Sequence, residues 1–299
     1  LDTALDPNLK KFSSYRSAWI TQFFVLLSRA FLNVIRDRML TMSRLMQQVV
    51  MGVVVGLIFL RIGHEQKNVQ DRNGVIFFVM LNQTMGSMFS SMTVFLTGEM
   101  KVFLRERGSK TYHVSSYFLA KTLAEIPNVI IFPVINGTIT YWMCNLNPAV
   151  DRFFMFLFIM IMVNLTAQAL GILIATIVPG PDVANAIGPI LVTVLMLFGG
   201  LYINVDDIPN FLIWIYWLSM FHFAYEALTL NEFDGAVFNC PDEPTTCMRP
   251  TGQTVIESLG MTSVMSKIWV NIAFLFLLNI ILRFLAYLFL KYLRKPKGG

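Results

Sequence analysis

Six long apolar blocks constrain this chain more than any other feature. They run near 41–60, 73–97, 126–144, 153–178, 183–203 and 267–290, and each approaches or exceeds the roughly 20 residues a helix needs to cross the hydrocarbon of a bilayer. A spanning segment must satisfy its backbone polar groups internally, so such blocks read as transmembrane helices and the fold class as an all-α polytopic membrane protein. The composition agrees. The chain is 56% hydrophobic and 14% charged, where a soluble domain carries about 25% charged residues. Its 26 Phe and 18 Met exceed what one globular core buries.

The net charge of +5 could point to nucleic acid, but the basic residues cluster beside the apolar blocks. They precede residue 45, with Arg44 the last of that group, fill 101–121 and follow residue 290, while Arg61, Lys67, Arg72, Arg152, Arg249 and Lys267 lie on the other side. This asymmetry puts both termini in the cytoplasm and leaves no nucleic-acid footprint. A further apolar stretch at 208–233 carries Trp214, Tyr216, Trp217, Phe221 and Tyr225. Counting it as a seventh crossing would carry the basic tail outside, so it reads as a re-entrant outer element within an extracellular loop at 204–266. The chain starts at Leu1 without a signal sequence, so a preceding segment is expected.

Before the first span, 1–40 form a cytoplasmic lead-in whose second half is periodic. Trp19, Phe23, Leu26, Ala30 and Val34 recur at helical spacing, with Gln22, Arg29, Asn33 and Arg36 opposite. An amphipathic helix on the membrane surface is expected, with packing on a soluble domain as the alternative. Within the six-helix domain at 41–299, Gly52 and Gly56 would permit a close helix approach. Pro127, Pro133, Gly188 and Pro189 suit either a transport path or ordinary kinks.

Reactive chemistry is sparse. His64, His113 and His222 show no metal-ligand spacing, no metal site is expected, and no hydrolase or protease motif occurs. Gly108-Ser109-Lys110-Thr111 lacks the order and preceding glycine of a phosphate-binding loop, so no nucleotide is expected to bind this chain. Glu125, Glu226 and Arg283 fall near span ends or in the outer element, leaving mid-membrane without an obvious ion carrier. Cys240 and Cys247 sit in the outer loop, where an oxidising compartment favours a disulfide over two free thiols; Cys144 is left over. Asn82-Gln83-Thr84, Asn136-Gly137-Thr138 and Asn164-Leu165-Thr166 match the glycosylation pattern inside spans, where hydrogen bonding between helices is the expected role. The segment 98–122 interleaves Glu99, Lys101, Arg105, Glu106, Arg107, Lys110 and Lys121 with Val102, Phe103, Leu104, Tyr112 and Tyr117, as a docking surface for a soluble partner would.

These residues carry a resemblance. Val102-Phe103-Leu104-Arg105-Glu106-Arg107, Tyr112, Ser115 to Lys121 and Pro127 resemble the membrane domain of ABC transporter subfamily G, the White and breast-cancer-resistance type half-transporters. Asn73 to Phe78 with Asn82-Gln83, Gly199 to Asn204, and Tyr225-Glu226-Ala227-Leu228 leading to Asn231-Glu232-Phe233 extend the likeness over nearly the whole chain. The resemblance implies six spans, a connecting helix before them, a nucleotide-binding domain upstream that binds ATP and Mg, and pairing with a second half-transporter, homo- or heterodimeric. It implies coupling to the ATPase through Glu99, Glu106, Ser109, Tyr112, Ser115 and Tyr117. It places a substrate pocket at Phe78, Asn82, Met85, Pro189, Thr193 and Met196 and a gate at Leu201 and Tyr202. Met85 and Tyr202 depart from the multidrug member's aromatic and leucine, which argues against that member's mode of polyaromatic drug binding; Met still lines an adaptable apolar pocket.

The expected function is the membrane half of an ATP-driven exporter in the plasma membrane, moving sterols, lipids or other hydrophobic and amphipathic compounds by alternating access. An ATP-independent transporter or channel would need intramembrane charges or broken repeats, and a membrane enzyme a polar constellation. A noncatalytic subunit of a heterodimer is compatible with all of these residues.

Overall fold

The computed structural model describes residues 17–63, 65–200, 208–238, 251–259, 261 and 266–294. Leu201, Tyr202, Cys240 and Cys247, and with them the gate and the loop disulfide, lie outside the described residues.

Asp37 makes the first turn in the chain. Helix α1, Trp19–Arg36, ends there, and the Asp37 carboxylate accepts the Leu40 N–H at 3.1 Å, capping α2, Arg38–Ile58. One acidic residue thus stops one helix and satisfies an orphan donor of the next. The chain returns through a 3-10 turn, Gln66–Asn68, into α3, Val69–Val94, which runs on through a π-helical turn, Phe95–Glu99, into α4, Met100–Gly108. The result is one continuous helix of 43 residues, about 65 Å long at 1.5 Å per residue. After residues 109–113 the chain re-enters helix as α5, Val114–Met143, followed by α6, Val150–Ile177, and α7, Pro181–Leu197. The short α8, Ile213–Leu218, then α9, Met220–Phe233, and α10, Gly252–Ser258, precede the last long helix, α11, Ser266–Tyr292.

Among the described residues five helices are long and apolar enough to cross a membrane, where six blocks suggest six crossings. The difference is α7, whose 17 residues stop at Leu197. The span expected at 73–97 extends to Gly108, and the one expected at 126–144 starts twelve residues earlier, at Val114. Charged residues that resemble a connector are therefore helical, with only 109–113 as the turn. Pro127 and Pro133 lie inside α5 and Pro189 inside α7 without ending either helix.

The ends of the bundle are distinguished by their bonds. At the hairpin end, around 109–113, Arg107 donates to the carbonyls of Leu290 and Arg294, each at 2.7 Å, and Lys291 at 2.6 Å, closing the last turn of α11. Arg294 reaches Thr176 and Val178 at the end of α6. At the far end, Arg61 and Ile62 N–H groups bond the carbonyls of Met143 and Cys144. Arg72 pairs with Glu232, and Arg152 pairs with Asp234 at 2.8 Å.

Between apolar helices in lipid, packing and polar contacts replace the hydrophobic effect as the source of association. A side chain at Gly56 would strike the Met143 side chain, and one at Gly171 would strike the Met88 carbonyl and Ser91 Oγ, so α2 meets α5 backbone to side chain and α6 meets α3 with the backbones themselves close. Gln48 accepts from Gln83 at 3.1 Å, and its carbonyl accepts from Asn136 at 2.9 Å. Asn164 donates to Val129 O at 2.8 Å, and Thr166 to Leu275 O at 3.2 Å. The polar residues of all three glycosylation-like triplets therefore include interhelical donors.

Helix α9 sits in the middle of this packing with all fourteen residues buried. At about 21 Å it is too short to cross about 30 Å of hydrocarbon. Ser219, before its first turn, bonds Leu195 O at 2.7 Å, while Glu232 in its last turn meets Arg72 at the far end.

Candidate functional site

Of the polar residues of α1, Arg29, Asn33 and Arg36 are exposed as the pattern suggests, but Gln22 is not. Gln22 is buried: its side-chain carbonyl accepts from His113 N–H at 2.9 Å and Ser116 Oγ at 3.3 Å, and its amide donates to Ser17 O at 2.9 Å. The exposed apolar stripe is Ile20, Phe24, Phe31 and Ile35 instead. An unpaired N–H at the start of α5 needs an acceptor, and Gln22 supplies it; nothing in the periodicity of α1 reveals that partner.

The hairpin is fastened to α1 by charge. Arg29 grips both oxygens of Glu106 at 2.8 and 3.0 Å, Tyr112 donates to the same carboxylate at 2.8 Å, and Trp19 donates to Ser115 Oγ at 3.0 Å. The bond to Glu106 holds the Arg29 pKa above its usual range. Burial, then the Glu106 carboxylate, pushes the Tyr112 hydroxyl up, so it remains a donor. Tyr112 stacks on Tyr117 at 5.5 Å, and Tyr117 packs on Phe103 at 4.9 Å. Ser109 caps inward, bonding Glu106 O at 3.0 Å and Thr111 at 2.8 Å.

Deeper in the bundle, Lys121 joins Glu99 of the π turn to Glu125, the latter at 2.9 Å. Glu125 accepts from Gln168, whose carbonyl accepts from Arg283 at 2.7 Å. Three residues that look scattered in sequence, Glu125, Gln168 and Arg283, thus form one partly buried polar chain across α5, α6 and α11. Of the six coupling residues expected, Glu106, Tyr112, Ser109 and Tyr117 cluster with Arg29, Ser115 meets Trp19, and Glu99 joins this deeper chain. Gln22 and Arg29, expected only as the polar face of α1, and Arg107 and Lys121, expected only as part of the charged segment, share the region with specific partners.

The same long helix lines a groove. Phe78, Asn82 and Met85, four and three residues apart on α3, face a cavity of about 570 Å³ against Leu40, Ser43, Arg44, Gln47 and Met51 of α2. Pro189 and Thr193 are exposed on α7 and Met196 is half-buried against the core, and none of the three lines this groove. Helix α7 does approach α3 where the Phe89 ring packs over Gly188. Leu40, Thr93 and Val94 are shared with a second cavity of about 450 Å³ beneath α1, which Arg29, Asn33, Asp37, Glu99 and Lys121 also line. A third, of about 60 Å³, lies behind Arg44 among Gln48, Ser87, Ser91, Glu125, Asn128 and Gln168. A polar space of that size accommodates a few waters.

The loop-like run at the end of α4 lacks the helix geometry that favours phosphate. Gly108-Ser109-Lys110-Thr111 follow the carboxyl end of α4, where carbonyls and the negative end of the helix dipole are presented. A phosphate needs the opposite end of a helix.

Comparison with known proteins agrees with the geometry. Residues 21–233 match the family described as ABC-2 type transporter. The chain is 35% identical over 254 residues to ABC transporter G family member 7 of Arabidopsis thaliana, covering 85% of this chain and 34% of that protein. It is 32% identical over 281 residues to Protein white of Drosophila melanogaster, covering 93% and 40%. It is 31% identical over 290 residues to the broad substrate specificity ATP-binding cassette transporter ABCG2 of Mus musculus, covering 94% and 44%. The chain thus spans between a third and a half of the length of these relatives. With a helical bundle, a helix-bound hairpin and a family match over most of its length, the chain belongs to the ABC-2 type transporter membrane domains, and its curated relatives are members of the ABC transporter G family.

Proposed function

We propose that this chain is the membrane-spanning half of an ATP-driven exporter. The observation that carries the proposal is the continuous helix through 66–108: one of its faces lines the groove at Phe78, Asn82 and Met85, and its end holds Arg29 through Glu106. A push on the hairpin is transmitted along one rigid element to the groove, with the π turn at 95–99 as the place where that element yields. The hairpin is cytoplasmic in this reading and meets a nucleotide-binding domain, which holds ATP and Mg outside this chain. A second half-transporter, identical or not, completes the path, and the expected site is the plasma membrane.

The groove's mixed lining suits hydrophobic and amphipathic compounds, sterols and lipids among them. The charged cavity beneath α1, sharing Leu40, Thr93 and Val94 with the groove, offers entry from the cytoplasmic side. Alternating access follows if ATP-driven closure favours a state in which the groove faces outward, because a ligand or partner shifts only equilibria it binds unequally.

The test uses the full-length protein in proteoliposomes. Glu106→Gln is expected to leave basal ATP hydrolysis within about twofold while lowering substrate-stimulated hydrolysis and export by about tenfold, the size of a 1.4 kcal/mol change in coupling. Unchanged export with Glu106→Gln and with Arg29→Ala would overturn the role of the hairpin.

A further inference from the structure

The groove between α2 and α3 is amphipathic along its length, and its polarity has a sign. Toward the hairpin end Ser43, Arg44, Gln47, Ser90 and Thr93 line it beside the apolar Leu40, Phe89 and Val94, and farther along Met51, Phe78, Leu81 and Met85 line it with Asn82 among them. Arg44 is the one ionisable side chain among the described lining residues. Its guanidinium donates one long bond, 3.4 Å, to Ser90 O, and it forms no ion pair among the described residues. Both carboxylates near it are engaged: Glu125 by Lys121 at 2.9 Å and by Gln168, and Asp37 by the Leu40 N–H that it caps. A guanidinium offers five donors in a planar fork suited to carboxylate, sulfate and phosphate oxygens. A cation within a span is costly to insert, and its position beside a cavity marks a pathway or ligand contact.

We propose that Arg44 makes this groove selective for amphipathic anions: a head group bearing a carboxylate or sulfate binds the guanidinium beside Ser43, Gln47 and Ser90, and the apolar body lies along Met51, Phe78 and Met85. This inference rests on the reading of the groove as the substrate path and adds the charge of the cargo to it. The volume falls within the about 300–1,000 Å³ typical of small-molecule sites, which suits one compact amphiphile. The occupant is therefore a transported single-chain or similarly compact anion and not a resident phospholipid.

The experiment compares two photoreactive probes, hexadecyl sulfate and hexadecanol, each with a mid-chain diazirine, on the full-length protein in phosphatidylcholine nanodiscs. Labelled peptides from α2 and α3 are mapped by mass spectrometry. The sulfate is expected to label these helices at about tenfold lower concentration than the alcohol, as a charge-assisted fork contact predicts. Arg44→Gln should abolish that preference while leaving hexadecanol labelling unchanged, and Arg44→Lys should retain part of it. Equal labelling by both probes, a preference that survives Arg44→Gln, or a parallel loss of both probes would overturn the inference while leaving the groove's role intact or open to its own test. Loss of sulfate labelling when anionic phospholipid is added to the disc would assign Arg44 to a resident lipid and also overturn it. Absence of both probes from α2 and α3 would remove the groove itself as the path.

Discussion

At the far end of the bundle, Arg72 and Glu232 are both buried and face each other, with Arg72 also bonding Ile62 O at 3.2 Å and Asn145 O at 3.1 Å, and Glu232 accepting from Asn147 N–H at 3.1 Å. Four segments meet at this pair. Removing one partner leaves a charge buried without its counter-ion, so Glu232→Leu is expected to cost about 3–5 kcal/mol, whereas the double change Arg72→Met with Glu232→Leu should recover most of it. Denaturant titration of the purified protein in mild detergent checks both; equal losses in the single and double variants would contradict the pairing argument. Some such residues announce themselves in the sequence. Asn136, Asn164 and Thr166 stand in apolar runs and need partners, so an interhelical bond is the default reading. Gln22 does not, because one amide on a helix with other polar residues looks solvated until α5 brings His113 N–H to it.

At the scale of elements, α1 depends on two sets of contacts: Gln22, Arg29 and Trp19 toward the hairpin, and Ile20, Phe24, Phe31 and Ile35 on its open side. The second set suits insertion into the membrane interface. Replacing Phe24 and Phe31 with Ser is expected to speed amide exchange of α1 at least severalfold in nanodiscs and to leave α5 exchange unchanged. No change in α1 would show that its apolar stripe is not in lipid. Hydropathy makes long spans legible because lipid demands sustained apolar length, and it therefore finds α2, α6 and α11 within a few residues. It fails where a helix leaves the hydrocarbon: Lys101, Arg105 and Arg107 on α4 are compatible with helix but invisible to an apolar window, so the helix looks like a loop. Pro127, Pro133 and Pro189 stay inside helices as the apolar blocks place them, because neighbouring helices can satisfy backbone groups that a proline frees. The candidate site is half legible for the same reason. Phe78, Asn82 and Met85 share a helical face at spacing four and three, but Arg44 belongs beside them only because α2 folds back against α3.

Over the whole molecule, polar contacts at the hairpin end bind α1, α4, α5, α6 and α11 to one another, and those at the far end bind α3, α6 and α9. The groove lies between two ends that are each internally fastened. Motion of one end relative to the other is concentrated in what joins them, above all the helix through 66–108 and its π turn. Shortening that turn by deleting Gly98 is expected to rotate Glu106 and all that follows by about 100° relative to Phe78 and Met85, since each helical residue advances one 3.6th of a turn. Export should fall to background while the protein still inserts, read by substrate flux and by protease protection on the same vesicles; flux within twofold of the parent would show that the two ends are not coupled through this helix.

The complete burial of α9 has a consequence for how the protein is made. Glu226, in its second turn, accepts from Asn271 of α11 at 3.1 Å, and Asn271 is synthesised 45 residues later. Until α11 enters the bilayer, α9 holds Glu226 in a half-built bundle that offers it no amide from that side, although Glu232 already has Arg72 and Asn147. Assembly is therefore a waiting process: the emerging chain carries a buried carboxylate short of its amide partner, which membrane chaperones and proteases can recognise, and α11 supplies that partner. A chain cut at residue 265 should be degraded severalfold faster in pulse-chase than the complete chain, and co-expression of 266–299 as a separate span should slow that loss.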